Sequence, residues 1–295
     1  MAITIRPFNP GFAGEGSGAD LTKTLSADDA KALQTGIDTY GVLIFHDQIL
    51  TDEQQMAFTL RFGDIENARG GNITKPQDKR LPDGMNDVSN LGKDGKPLPP
   101  DSRQQLFNIG NILWHSDSSF RAIPAKYSLL SARVVNPRGG NTEFADMRAA
   151  YDALDAATKA EIEPMICEHS LMYSRGSLGF LDYTDEEKAM FKPVRQRLVR
   201  IHPAHGRKSL YLSSHAGQIL GMTTPDARIL LRDLNDHGTQ PQFVYVHNWR
   251  VGDFVMWDNR QTMHRVRRYD QTQPRDMRRT TVAGDTMTVE QAQAA

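Results

Sequence analysis

Thiols are all but absent: Cys167 is the sole cysteine in 295 residues. That excludes an intramolecular disulfide and a zinc site built on paired thiolates, and it suits a reducing, cytoplasmic setting. Long apolar runs are missing as well. No stretch approaches the roughly 20 residues that span a bilayer, and the opening MAITIRPFNPGFAGEGSGADL has no basic segment followed by an apolar one. Neither secretion nor membrane insertion is expected. An excess of one charge is lacking too, since 35 Lys and Arg stand against 36 Asp and Glu for a net charge of -1. With no global field to collect nucleic acid or an anionic membrane surface, any anion has to be caught locally. The composition is compatible with a homo-oligomer and does not require one.

What is present is 39% hydrophobic and 24% charged side chains, enough to close a core, and the reading is one domain over residues 1–295. Residues 3 to 7 alternate as a short strand. Ser26, followed by acids, predicts a capped helix to about Tyr40, and the β-prone run Val42 to Phe45 predicts a buried strand. Thr51, with Gln54 three residues on, opens a second helix through MAFTLRFG. From Asp64 to Gln105 (residues 64–105), Gly, Asn, Lys, Asp and Pro dominate, so a polar surface segment is expected, lid-like because a candidate site follows it.

FNIGNILWHSDSSF and KYSLLSARVVNP read as β-rich runs stopped by Pro137-Arg138-Gly139-Gly140. ADMRAAYDALDAATKAEIEPMI, capped by Asp146, and TPDARILLRDLNDHG, with Gly238 as its C′ residue, read as helices. FVYVHNW, DFVMWDN and RRTTVAGD read as strands, and TVEQAQAA as a fraying end. Strands on both sides of a helical insertion predict an α+β fold with a mostly antiparallel double-stranded β-helix (jelly-roll) core.

Of nine histidines, only His115 has a carboxylate two residues after it, Asp117. On an extended segment these two project from one face and can chelate a divalent metal. A third ligand, for which His264 is the candidate, would complete a two-His, one-carboxylate triad that leaves positions open on iron(II). Taken alone, the triplet also fits a hydrogen-bonded core or surface histidine. Arg275 and Arg279 follow in QPRDMRRTTVAGD, and on a strand their spacing points both the same way. Guanidinium forks hold carboxylates at two points. Two such arginines, if buried, need two anions; a solvated basic patch is the alternative.

Together WHSDSSF, GGNTEFADMRAAYDAL, WDNRQTMHR and PRDMRRTTVAGD resemble the iron(II)/2-oxoglutarate dioxygenases of the taurine dioxygenase type over nearly the full length. Within that group the chain resembles the α-type dioxygenases that act on 2,4-dichlorophenoxyacetate. The resemblance implies His115, Asp117 and His264 as iron ligands, and Thr142 and Arg275 as the grip on the distal carboxylate of 2-oxoglutarate. It implies Arg279 as the main anchor of an anionic substrate, with Asn111 beside it and His215 as a residue that could line the pocket; Trp257 is expected in the core. The expected cofactor is Fe(II), with 2-oxoglutarate and O2 as cosubstrates. The expected partner is a small anionic aromatic substrate, cleaved to a phenol and glyoxylate while succinate and CO2 form.

No counterpart of the taurine enzyme's substrate-binding histidine is found in residues 64–105, which weakens a sulfonate reading. An alkylsulfonate or another small carboxylate nonetheless stays as the alternative substrate. From other classes, a noncatalytic β-barrel holding a small anion and a zinc hydrolase on the same three ligands are the rivals.

Overall fold

The computed structural model describes residues 3–9, 11–67 and 73–290. Its main sheet is seven-stranded, in the order Thr4–Asn9, Phe12–Ser17, Val42–Phe45, Phe254–Asp258, Tyr127–Val134, Asp276–Val282, Met85–Asp87. All neighbours are antiparallel except Phe12–Ser17 with Val42–Phe45. A second, three-stranded sheet runs Val244–His247, Thr142–Asp146, Thr262–Val266. The two make the jelly-roll core of an α+β protein, as expected. Among the described residues no helix is long and apolar enough to cross a membrane.

Period-two alternation sorts the side chains of the central strands. Phe254 and Met256 join Leu43, Phe45, Tyr127 and Leu129 in a cluster with residues of the helices Ala27–Tyr40 and Asp52–Thr59. Val255 and Trp257 face the other way and pack with Val42, Ile44, Leu130, Phe144 and Met277 between the sheets. That inner layer backs the candidate site.

Signals that act within one turn set the helix ends. Ser26 caps Ala27–Tyr40, Gly41 ends it at φ 72°, and Thr51 with Gln54 forms a reciprocal capping box. The second helix stops at Thr59, short of Gly63 with its φ of 140°. The opening strand is one arm of a hairpin with Phe12–Ser17, a partner the sequence reading lacked.

Elsewhere the structure corrects the expectations. FNIGNI is helical rather than extended, because Ser102 caps Arg103–Asn108 and a 3-10 turn, Ile109–Ile112, continues it. The helix after Asp146 breaks in two, since Asp155 caps a new start for Ala156–Ile162. Gly238 is the last helical residue, not a left-handed stop; a Cβ there would stand 3.2 Å from Met147 Cε. The insertion between Asp117 and His264 carries helices and also two small sheets.

The segment 64–105 is not all surface. Met85–Asp87 pairs with Asp276–Val282 as an edge strand, and Met85, Asn90 and Leu91 are buried. Residues 68–72 of that segment lie outside the described residues. The start of TVEQAQAA is held rather than frayed: Thr288 is buried, donates to Gln196 Oε1 (2.6 Å) and accepts from the Arg197 amide (3.0 Å). Residues 291–295 fall outside the described residues.

Candidate active site

His115 sits in an extended stretch after the Ile109–Ile112 turn and forms an isolated antiparallel bridge with His264. The backbone bonds are reciprocal: His115 N donates to His264 O (3.0 Å) and His264 N to His115 O (2.8 Å). Residues so paired stand directly opposite, with side chains on one face. The ring centroids are therefore 4.2 Å apart. Asp117 reaches the same point, its carboxylate oxygens 3.8 Å from each Nε2. Ser118, at φ 55°, turns the chain away immediately afterwards. One donor atom from each of the three buried residues lies within 4.8 Å of the others.

The ionisation of the three donors suits a metal. His115 Nδ1–H donates to the Leu113 carbonyl (2.7 Å), which leaves the Nε2 lone pair facing the site. Burial pushes both imidazoles down, His264 well below its ordinary range, so they are neutral. Burial alone would raise the Asp117 carboxyl, but the Arg279 guanidinium, its strongest partner, and the Ser128 hydroxyl hold it down at about 2. Two neutral imidazoles and one carboxylate suit a divalent metal with open positions.

Behind Asp117 stands a support that sequence reading missed. Ser128 donates to Asp117 Oδ2 (2.7 Å), Asn259 Nδ2 donates to Ser128 Oγ (2.9 Å), and Asn259 Oδ1 accepts from the Asp117 amide (3.1 Å) and Trp257 Nε1 (3.0 Å). Trp257 is in the core, as expected, and also steers this chain. Asn259→Ala is expected to weaken Fe(II) affinity by roughly 10–100-fold, the usual effect of losing an outer partner of a metal ligand. Competition with a chelator measures it, and unchanged affinity would remove Asn259 from that role.

A cavity of about 70 Å³ opens beside the triad, with Asn111, Arg175, His215 and Arg279 in its wall together with the rings of Phe107 and Phe120. Arg279 lies within the strand Asp276–Val282 and Arg275 immediately precedes it, and the two arginines have different partners. Arg279 is ion-paired with Asp117. Arg275 lines an adjoining cavity of about 160 Å³, donates to Val88 O (2.9 Å) and stacks on Tyr269. Among the described residues Arg275 meets no carboxylate. Thr142 Oγ1 accepts from Trp249 Nε1 (2.9 Å), which leaves its own proton to donate. Asn111 belongs to both cavities and accepts from Arg175 Nη2 (3.3 Å).

Arg175 escaped the sequence reading. Its one signal there is an arginine with no acid between Glu168 and Asp182. A larger cavity, about 650 Å³, lies between residues 73–104 and the helix Asp185–Met190 and contains none of the triad. Asp38, His202 and Asp258 also bring donor atoms within 4.8 Å. Their cation is already present, because Arg260 donates to Asp258 Oδ1 (2.8 Å), Asp258 Oδ2 (2.7 Å) and Asp38 Oδ1 (2.9 Å).

Residues 4–281 match the family model described as taurine catabolism dioxygenase TauD, TfdA family. The chain is 42% identical over 288 residues, 97% of its length and 99% of the relative's, to the alpha-ketoglutarate-dependent 2,4-dichlorophenoxyacetate dioxygenase of Cupriavidus pinatubonensis. It is 39% identical over 294 residues, 96% of each chain, to the (S)-phenoxypropionate/alpha-ketoglutarate-dioxygenase of Sphingobium herbicidovorans. It also superposes on AAD-2, solved in complex with Mn(II) and N-oxalylglycine, with a TM-score of 0.96 and 71% identity, covering 98% of this chain and 100% of that one.

Proposed function

Since this chain belongs to the taurine catabolism dioxygenase TauD, TfdA family, we propose that it is an iron(II)- and 2-oxoglutarate-dependent dioxygenase that cleaves aryloxyacetates such as 2,4-dichlorophenoxyacetate to a phenol and glyoxylate. The observation that carries this reading is the buried convergence of His115, Asp117 and His264 on one point beside a cavity lined by both guanidinium groups and aromatic rings. The relatives that act on 2,4-dichlorophenoxyacetate and on (S)-phenoxypropionate support the substrate class. Phe107 and Phe120 in the wall favour an aryl group over an alkylsulfonate. A reducing cytoplasm suits the one buried thiol, Cys167.

In this reading His115, Asp117 and His264 hold iron(II), which with 2-oxoglutarate and O2 supplies the oxidising chemistry that places a hydroxyl on the carbon beside the ether oxygen, while succinate and CO2 leave. The hemiacetal so formed collapses to phenol and glyoxylate without a hydrolytic group. The protein's own share is placement. Arg275, buried without an acid, and the free Thr142 proton receive the distal carboxylate of 2-oxoglutarate. Arg279 and Asn111 face the substrate side of the cavity.

At about 70 Å³ that cavity is well below the roughly 300–1,000 Å³ of small-molecule sites. Its wall includes Glu66 and residues 86–88, and we propose that the described loops of the polar segment on either side of the edge strand Met85–Asp87 part to admit substrate.

Anaerobic titration of Fe(II) into the apoprotein with 2-oxoglutarate tests the proposal. A visible metal-to-ligand charge-transfer band is expected, shifting when 2,4-dichlorophenoxyacetate is added, with residues 64–105 becoming less sensitive to protease in the same samples. A band indifferent to the herbicide would keep the dioxygenase and refute the substrate; no band would refute the site.

A further inference from the structure

The cavity beside the triad contains more than one kind of arginine. Three of its acids already have cations: Asp117 has Arg279, Glu66 has Arg121 at 3.4 Å, and Asp87 has Arg80 at 2.9 Å. Arg175 is different. It is buried, it lines the same cavity, and among the described residues it meets no carboxylate.

Its neighbours are neutral acceptors at long range: Phe107 O (3.2 Å from Nε), Ser174 Oγ (3.3 Å from Nη1) and Asn111 Oδ1 (3.3 Å from Nη2). A guanidinium has five N–H groups, so one on each terminal nitrogen is left over. A buried cation with no anion in contact is unfavourable, and burial pushes the Arg175 guanidinium down to about 10 against a partial offset from Tyr183 and Asp117.

The chain is nevertheless shaped to keep it there. The Phe107 ring lies 4.9 Å from Arg175 Cζ, and a Cβ on Gly110 would overlap the guanidinium itself. Only glycine at position 110 lets the helical turn close over that group. Ser174 ties the arrangement to His215, whose Nδ1 is 2.8 Å from Ser174 Oγ. Ser174 gives its own proton to Leu171 O (3.0 Å), so His215 Nδ1–H is the donor and His215 Nε2 is an acceptor.

We propose that Arg175, on the helix Leu171–Gly176, is a second anchor for the substrate carboxylate in the cavity that Arg279 also lines. This rests on the aryloxyacetate dioxygenase reading and sharpens it: the acceptable substrate is a small monocarboxylate whose acid lies near Phe107 and Asn111. Arg275 takes the acid of 2-oxoglutarate in the adjoining cavity, and Arg175 takes that of the substrate.

The test compares an acid with a neutral isostere on the anaerobic Fe(II) and 2-oxoglutarate holoenzyme. The dissociation constants of 2,4-dichlorophenoxyacetate and of its carboxamide are read from the shift of the visible band. Arg175→Gln is expected to bind the acid roughly 100-fold more weakly, in keeping with loss of one partner of a buried charged pair, and the amide within about threefold of the parent protein. Equal losses for acid and amide, or no loss for the acid, would overturn the proposal, because a merely structural role moves both ligands together.

If Arg175→Gln does not fold, Arg175→Lys takes its place. Its preference for acid over amide is expected to fall by about tenfold, since an ammonium cannot reproduce the two-point fork; an unchanged preference overturns the anchor. A parent protein that gives no band defeats the dioxygenase reading, a band blind to both ligands defeats the aryloxyacetate substrate, and either result takes this inference with it. A parent that responds to the acid while Arg175→Gln responds equally well defeats Arg175 alone.

Discussion

Asp117→Asn is expected to abolish the charge-transfer band and to bring product formation below detection, while the protein stays folded. The substitution keeps the size of the side chain and its place between Ser128 and Asn259, but removes the only anionic donor of the triad. Loss of an outer partner weakens a metal site roughly 10–100-fold, and loss of a ligand exceeds that. The remaining pair, His115 and His264, are neutral and 4.2 Å apart between ring centroids, too few donors to hold iron(II) against water. Arg279 also loses its ion-pair partner, which adds local repulsion toward a dication. Iron content after desalting, the anaerobic spectrum and circular dichroism together check this. A variant that keeps the band but melts early would show Asp117 to be structural.

The largest effect on stability is expected at Arg260, which does not line the cavity beside the triad. Its guanidinium is buried among Asp258, Asp38 and the Tyr127 hydroxyl, and His202 Nε2 adds a bond to Asp258 Oδ2 at 2.9 Å. Arg260→Met leaves the Asp258 carboxylate buried without its main counter-ion. Breaking a buried pair from one side is destabilising by roughly 3–5 kcal/mol, which for a chain of this size is a fall in Tm of roughly 10 °C.

The pH dependence follows from Asp258. Burial would raise its carboxyl, but Arg260 and His202 outweigh that and pull it far below the ordinary carboxylate range. A depressed folded-state value means that the stabilisation is complete above the unfolded value near 4 and fades as pH falls below it. The gap in Tm between parent and Arg260→Met should therefore be full at neutral pH and narrow in acid. Adding Asp258→Asn to Arg260→Met should recover part of the loss, and strictly additive losses would argue against the pair.

Much of the site was readable without coordinates because some of its chemistry is local. His115 and Asp117 stand two apart on an extended stretch, so their convergence is a property of strand geometry. Asp146, Ser26 and Thr51 cap helices through bonds that close within three residues.

Other features needed the chain to fold back on itself. His264 joins His115 through a backbone bridge across the fold, and Asn259 reaches Asp117 over 142 positions of sequence. FNIGNI carries the apolar content of a strand, yet the Ser102 cap and the packing of Gly110 against Arg175 make it helical. Which arginine is already paired cannot be read from spacing either: Arg279 and Arg275 look alike in the sequence, and only the folded chain gives Arg279 an acid.

What the sequence by itself determined is the ligand types, the caps and the alternation of the central strands, since each depends on neighbours a few residues apart. What only the tertiary structure decided is the meeting of His264 with His115, the support behind Asp117 and the isolation of Arg175. Those depend on distances between segments far apart in the chain, which burial and sheet pairing set and local propensity does not.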